Sequence, residues 1–201
     1  MTLVEDIVVK RLGRVDYLPT WEAMRAFTRG RGESTPDELW VLEHPPVYTA
    51  GQAAPLPALG NAIPAVKVDR GGDVTYHGPG QVVIYTLVDL ARRGLKVKAF
   101  VCLLEQAVID LLGPRAERKP GAPGVYVAGA KIAALGIRVV RGRAYHGLAL
   151  NVDMDLAPFA AIDPCGYPGL RVTQMRELGF TDSPGAVAER LVDVLIRNLD
   201  A

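Results

Sequence analysis

Two cysteines, two serines and three histidines are the whole stock of thiols, small-alcohol nucleophile serines and imidazoles in 201 residues. Cys102 and Cys165 stand alone, without the paired spacing of a zinc site or a disulfide framework, and they suit a reduced cytoplasm. No apolar run reaches the 18 residues of a membrane span. The start, Met-Thr-Leu-Val-Glu-Asp, lacks the basic and apolar blocks of a signal peptide. There is also no excess of either charge. Twenty-three Lys and Arg against 22 Asp and Glu leave +1, which argues against a general nucleic-acid binder.

What is present suits one domain with a real core. The chain is 49% hydrophobic and 22% charged, and its length matches a single domain over 1–201. Residues 3–10 read as a first strand, Trp21 to Arg29 as a helix ended by Gly30 and Gly32, and Leu39 to His44 as a strand stopped by Pro45-Pro46. Residues 45–65 hold five prolines and two glycines and read as a packed, irregular binding loop. Val66 to Arg70 and Gln81 to Asp89 are β-rich.

The spacing from Lys98 to Leu112 predicts a helix closed by Gly113-Pro114, with Cys102 as a structural residue inside it. Arg115 to Pro123 reads as a polar turn. A three-strand meander is expected over 124–129, 131–140 and 145–153. A last helix starts at the N-cap Ser183 and Pro184 and runs to about Leu199. Strands and helices intermix without βαβ alternation, so the expected class is α+β (α/β), with a mixed, largely antiparallel sheet and packed helices.

Four segments could carry chemistry. Arg70-Gly71-Gly72-Asp73-Val74-Thr75-Tyr76-His77-Gly78-Pro79-Gly80-Gln81 brings four glycines against whatever it touches, but lacks the Gly-Lys-Ser/Thr of a phosphate loop. Its plain alternative is a glycine-rich hairpin with an interior histidine. Gly129 to Gly136 surrounds Lys131 with small apolar residues, so the ammonium either snorkels to solvent or is held in a pocket. Tyr145 to Asn151 contains His146, which would serve equally as a satisfied core histidine. Finally, Asp163-Pro164-Cys165-Gly166-Tyr167-Pro168-Gly169 puts a thiol on a loop that no helix or strand can traverse.

Taken in order, Arg-Gly-Gly-x-x-Thr-Tyr-His-Gly-Pro-Gly-Gln, Lys-Ile-Ala-x-Leu-Gly, His-Gly-Leu-Ala-Leu-Asn and Pro-Cys-Gly resemble the lipoyl (octanoyl) transferase family over about 44–175. Ala134 stands where some members carry serine. The resemblance implies a biotin/lipoate protein ligase-like fold. It also implies transfer of an octanoyl group from acyl carrier protein to a lysine of a lipoyl domain. The acceptors implied are the lipoyl domains of 2-oxoacid dehydrogenase E2 subunits and the glycine cleavage H protein, with no nucleic acid and no membrane involved.

On that resemblance Cys165 is the nucleophile, Lys131 its activating cation, and His77 a positioning or oxyanion group, with Tyr76 closing the pocket. Acyl contacts fall at Arg70 to His77, at Ala134, Leu135 and Gly136, and at Gly147, Leu148 and Ala149. No metal and no separate cofactor are implied, since the octanoyl-phosphopantetheine arrives on the donor protein. An ATP-dependent lipoate or biotin ligase is the alternative. Burying about six methylenes at ~0.8 kcal/mol each would supply about 5 kcal/mol of acyl binding. Arg25, Arg29 and Arg31, or Arg138, Arg141 and Arg143, are the candidate docking charges for an acidic carrier.

Overall fold

The computed structural model describes residues 7–57, 59–60, 62–162 and 169–200. Cys165, with the rest of 163–168, lies outside them.

The main sheet grows from the most apolar strand. β6 (Gln81–Leu87) is buried along its whole length, because both of its faces are covered. Val82 and Ile84 point to one side, where α2 (Val97–Leu112) and α3 (Pro184–Leu199) pack over the larger core. Val83, Tyr85 and Leu87 point to the other, against α1 (Tyr17–Gly30). Strand alternation thus splits one apolar run between two cores.

β6 pairs antiparallel with β2 (Glu38–Glu43) and with β10 (Arg143–Asn151). β1 (Val8–Arg14) joins β2 in parallel as an edge. On the far side β9 (Ala130–Val140), β8 (Ala122–Val127) and β7 (Ala116–Lys119) complete seven strands in the order β1-β2-β6-β10-β9-β8-β7. A second sheet places β3 (Val47–Ala50) between β4 (Ala65–Lys67) and β5 (Val74–His77). The α+β class with a largely antiparallel sheet is therefore what the chain forms. No helix among the described residues is long and apolar enough to cross a membrane.

α3 begins as its sequence predicts: Ser183 Oγ accepts the Ala186 amide and Pro184 opens the helix. Val187, Leu191, Val194, Leu195 and Leu199 form its buried stripe.

Several expectations are corrected. The first strand sits later, at Val8–Arg14, since pairing with β2 carries it past Lys10 and through a register shift beside Gly13. α1 starts at Tyr17, and Tyr17, Thr20, Met24 and Thr28 are its buried residues, leaving Trp21 and Phe27 half-buried. The 45–65 loop contains β3, whose residues are all buried. Arg115 to Pro123 is no simple turn. β7 is a polar edge strand paired with β8, and Arg118 reaches back to Glu105 of α2. Cys102 lies on the exposed side of α2, so it is not a core residue.

The glycine-rich motif is not a hairpin. Its β5 half belongs to the small sheet and its β6 half to the large one, so Gly78-Pro79-Gly80 carries the chain between sheets.

Candidate active site

Lys131 is positioned by an irregularity. On β8 Val125 faces Ala133 and the next residue, Tyr126, faces Lys131, so β9 holds one extra residue at this step. Such a bulge resets the alternation. Ile132 and Ala133 both enter the core beneath α2 and α3. Lys131 is thereby turned to the other face, the one that Ala134 and Gly136 share further along β9.

The ammonium does not snorkel, because Lys131 is only 3% exposed. Its Nζ donates to the Pro123 carbonyl at 3.1 Å and lies 5.2 Å from the centroid of the Tyr126 ring. Gly124 has φ +136°, and a Cβ there would stand 2.9 Å from Lys131 Cε. The glycine makes room for the lysine. A carbonyl oxygen and the negative face of an aromatic ring both favour a charged ammonium.

The chain that follows Cys165 in sequence, from Arg171 on, returns onto this lysine. Lys131 N donates to Arg171 O at 2.8 Å, and Thr173 N donates to Lys131 O at 2.9 Å. Those partners stand six and eight residues after Cys165 in the sequence.

A narrow cavity, partly open to solvent, runs between β5, β6, β9 and β10 under Tyr17. Among its lining residues are Arg70, Gly72, Asp73, Thr75, His77, Ala134, Leu135, Gly136, Gly147, Leu148 and Ala149. Three segments distant in sequence thus meet on one volume, and its wall is mostly apolar. Lys131 is not one of its lining residues.

Gly71, Val74 and Tyr76 also stand outside it. Alternation on β5 sends Thr75 and His77 inward and Val74 and Tyr76 the other way. Tyr76 packs instead on Tyr48 and Phe159, 5.4 and 5.5 Å between centroids, which is no place from which to close this cavity. Gly71 lines a separate groove with Val101 and Pro123.

His77 is buried and its ring is oriented by a directed chain of hydrogen bonds. Nδ1 lies 2.7 Å from Gln81 Oε1. Gln81 Nε2 donates to Asn151 Oδ1 at 2.9 Å and to Tyr76 O at 3.2 Å, and Asn151 Nδ2 donates to Thr173 O at 3.0 Å. An amide oxygen only accepts, so the His77 proton sits on Nδ1. Burial, reinforced by nearby His44, pushes the His77 pKa down to about 3. The ring is neutral, with its lone pair on Nε2.

Arg70 is buried and braces the small sheet, donating to Thr49 O at 2.6 Å, Thr49 Oγ1 at 2.9 Å and Gly71 O at 3.0 Å.

Reading the sequence missed Tyr17, Val83 and Tyr85 as cavity residues and His44 behind them, while His146, left open there between chemistry and core, lines the cavity. His44 donates from Nδ1 to Val15 O at 2.6 Å and accepts from Tyr85 Oη at 2.7 Å. Burial lowers its pKa to about 4. Histidine scarcity was the available signal, since all three imidazoles of the chain lie buried around one volume. Of the two arginine clusters, Arg31 is buried against Asp37, Arg143 is bound to Asp89 and Arg25 leans on Asp69, while Arg29 and Arg141 stay exposed.

Sheet and helices together are of the lipoate and biotin protein ligase type. A putative lipoate protein ligase from Thermoplasma acidophilum, solved with bound lipoic acid, superposes with a TM-score of 0.75 at 15% identity, over 98% of this chain and 87% of that one. The biotin protein ligase of Aquifex aeolicus, in complex with biotin and ATP, gives 0.62 at 14%, over 96% and 70%. These likenesses speak for the fold.

The model of the lipoyl protein ligase A/B catalytic domain matches residues 16–196. An octanoyltransferase of Aromatoleum aromaticum is 63% identical over 96% of this chain and 86% of its own length, and one of Azoarcus sp. is 62% identical over 96% and 88%. The chain belongs to the lipoyl protein ligase A/B catalytic domain family and, within it, to the octanoyltransferases.

Proposed function

We propose that the chain, acting as one cytoplasmic catalytic domain, carries the octanoyl group as a thioester on Cys165. The donor is octanoyl-acyl carrier protein and the acceptor is a lysine of a lipoyl domain, such as those of 2-oxoacid dehydrogenases or the glycine cleavage H protein. The observation that carries this reading is the placement of Lys131. It is a buried lysine whose Nζ donates to the Pro123 carbonyl, turned by a bulge to the strand face that leads into an apolar cavity, and hydrogen-bonded through its backbone to the segment following Cys165.

An unperturbed thiol of pKa about 8.5 is only a few per cent thiolate at neutral pH. In this reading the Lys131 ammonium raises that fraction. The thiolate attacks the octanoyl carbonyl, the bond to the phosphopantetheine sulfur breaks, and that sulfur leaves and takes up a proton. The lipoyl-domain ε-amine then attacks the Cys165 thioester, forming an amide, losing a proton and regenerating the thiolate. A thioester exchanged for an amide runs downhill, so no ATP is consumed. His77, whose single proton faces Gln81, acts by positioning rather than by donating to the oxyanion.

Intact-mass measurement after incubation with octanoyl-acyl carrier protein tests the scheme. One octanoyl group is expected on the wild-type protein and none on Cys165→Ala. Product made from free octanoate and ATP, unaffected by Cys165→Ala, would instead identify a ligase.

A further inference from the structure

His146 breaks the alternation of β10. Its neighbours Ala144 and Leu148 point into the core under α2 and α3. The His146 φ of +62° turns its ring to the opposite side. There it stacks on Tyr145 at 5.0 Å and meets Tyr85 edge-on at 6.1 Å, and both of these belong to the core beneath α1. A left-handed, non-glycine residue within a strand is strained, so its surroundings must hold it.

Asp69 does so. Its carboxylate accepts His146 Nε2–H at 2.9 Å, Tyr145 Oη–H at 2.5 Å and Trp21 Nε1–H at 2.8 Å. With the proton on Nε2, the Nδ1 of His146 is an acceptor. It is buried and has no hydrogen-bond partner among the described residues, while the ring, 1% exposed, lines the cavity.

Sheet register says which end of the cavity this is. Asn151 faces Gln81, the partner of His77. The next inward-facing level joins Val83, Ala149 and Ala134, and the one after it Tyr85, Gly147 and Gly136. His146, opposite Ile137, lies beyond. Lys131 stands on the Asn151 side of Ala134. Asn151 to Gly147 is four residues, about 14 Å at ~3.4 Å per residue. His146 is therefore out of reach of chemistry beside Lys131, and it stands at the far end of the cavity from it.

We propose that the imidazole of His146, held by Asp69, is a specificity-determining cap on the acyl cavity, whose unpaired acceptor limits the length of apolar chain that the cavity accepts. The assignment rests on the octanoyl-transfer reading, which puts the thioester at the Lys131 end. A tail that reaches the ring must press on a buried lone pair that it cannot satisfy, or force aside a ring whose other nitrogen is bound to a fixed carboxylate.

The test compares kcat/KM for hexanoyl, octanoyl, decanoyl and dodecanoyl carrier-protein thioesters. Two variants suit the left-handed backbone, His146→Gly and, should that one fold poorly, His146→Asn. The decanoyl-to-octanoyl ratio is expected to rise about tenfold in either, the discrimination expected of an apolar pocket that differs by a methylene or two. Asp69→Asn, which leaves the ring in place but loosens its hold, should raise the ratio less. A folded variant whose chain-length profile matches wild type, or falls equally for all lengths, overturns the proposal.

Binding of free octanoate and decanoate to wild type and variant, followed by calorimetry, reads the cavity end separately. If wild type transfers no octanoyl group, the transfer reading fails, and the binding ratio still decides for or against His146.

Discussion

Gln81 dictates which nitrogen of His77 carries the proton. Its amide is itself locked, because Nε2 donates to Asn151 Oδ1 at 2.9 Å, and only Oε1 remains to face His77 Nδ1 at 2.7 Å. The last residues of two sequence motifs thus set the state of an imidazole in the first.

Replacing Gln81 by leucine would leave His77 Nδ1 and Asn151 Oδ1 buried without partners. At ~1–3 kcal/mol for each such group, Gln81→Leu is expected to lose about 2–6 kcal/mol of stability. Urea unfolding checks this. Octanoyl transfer by the remaining folded protein should fall as well, since His77 loses its fixed tautomer.

Gly124→Ala tests the seat of Lys131. A Cβ there would stand 2.8 Å from Ala133 O and 2.9 Å from Lys131 Cε, on a backbone with φ +136°. The ammonium is expected to shift away from Pro123 O, and the Cys165 thiol to become a weaker acid. The pH profile of its alkylation should move toward that of Lys131→Ala, to higher pH than wild type. An unmoved profile in both variants would count against Lys131 as the activating charge.

Acid should weaken the fold well before its carboxylates titrate in the ordinary range. His77 and His44 have pKa values of about 3 and about 4, below the unfolded value near 6.5. Between those limits the unfolded chain binds protons that the folded one does not, so stability falls as the pH drops below about 6.5. At pH 5 the loss is on the order of 2 kcal/mol for each histidine. Asp69, held low chiefly by the His146 hydrogen bond against the opposing effect of burial, adds loss in the same direction at still lower pH. Chemical denaturation at pH 7.5, 6 and 5 should show a falling midpoint, and a flat one would mean that these rings become charged in place.

Asp37 is a purely structural test. Its side chain is fully buried and takes Arg31 at 2.6 Å, Arg92 at 2.8 Å and Arg93 at 2.6 Å, together with the Asp89 amide at 2.8 Å. Asp37→Ala strands buried guanidinium charge and is expected to cost about 3–5 kcal/mol. Thermal unfolding reads the loss. Transfer by the folded fraction should be unchanged, because nothing at this node lines the cavity.

Periodicity and turn chemistry were enough for the elements whose signals are local. The Ser183-Pro184 start of α3, the stripe of α2 and the apolar β6 follow from residue types within a few positions of one another. The motifs also marked most of the cavity wall, because a backbone that approaches a ligand closely needs glycine and alanine whichever strand carries it. β7 escaped notice because an edge strand is polar on its own and acquires its conformation only by pairing with β8.

Two facts about the site needed the fold. Lys131 reads as a lone charge in an apolar strand until the one-residue bulge opposite Tyr126 shows which way it turns. His146 reads equally as a chemical group or a core residue until a left-handed φ brings it round to Asp69, 77 positions away in the chain. Side-chain direction in a strand follows a period of two only where the ladder is regular. Local residue types therefore announced the apolar wall and the candidate groups. Which of those groups face the cavity depended on bulge, register and strain, and these exist only once distant strands have paired.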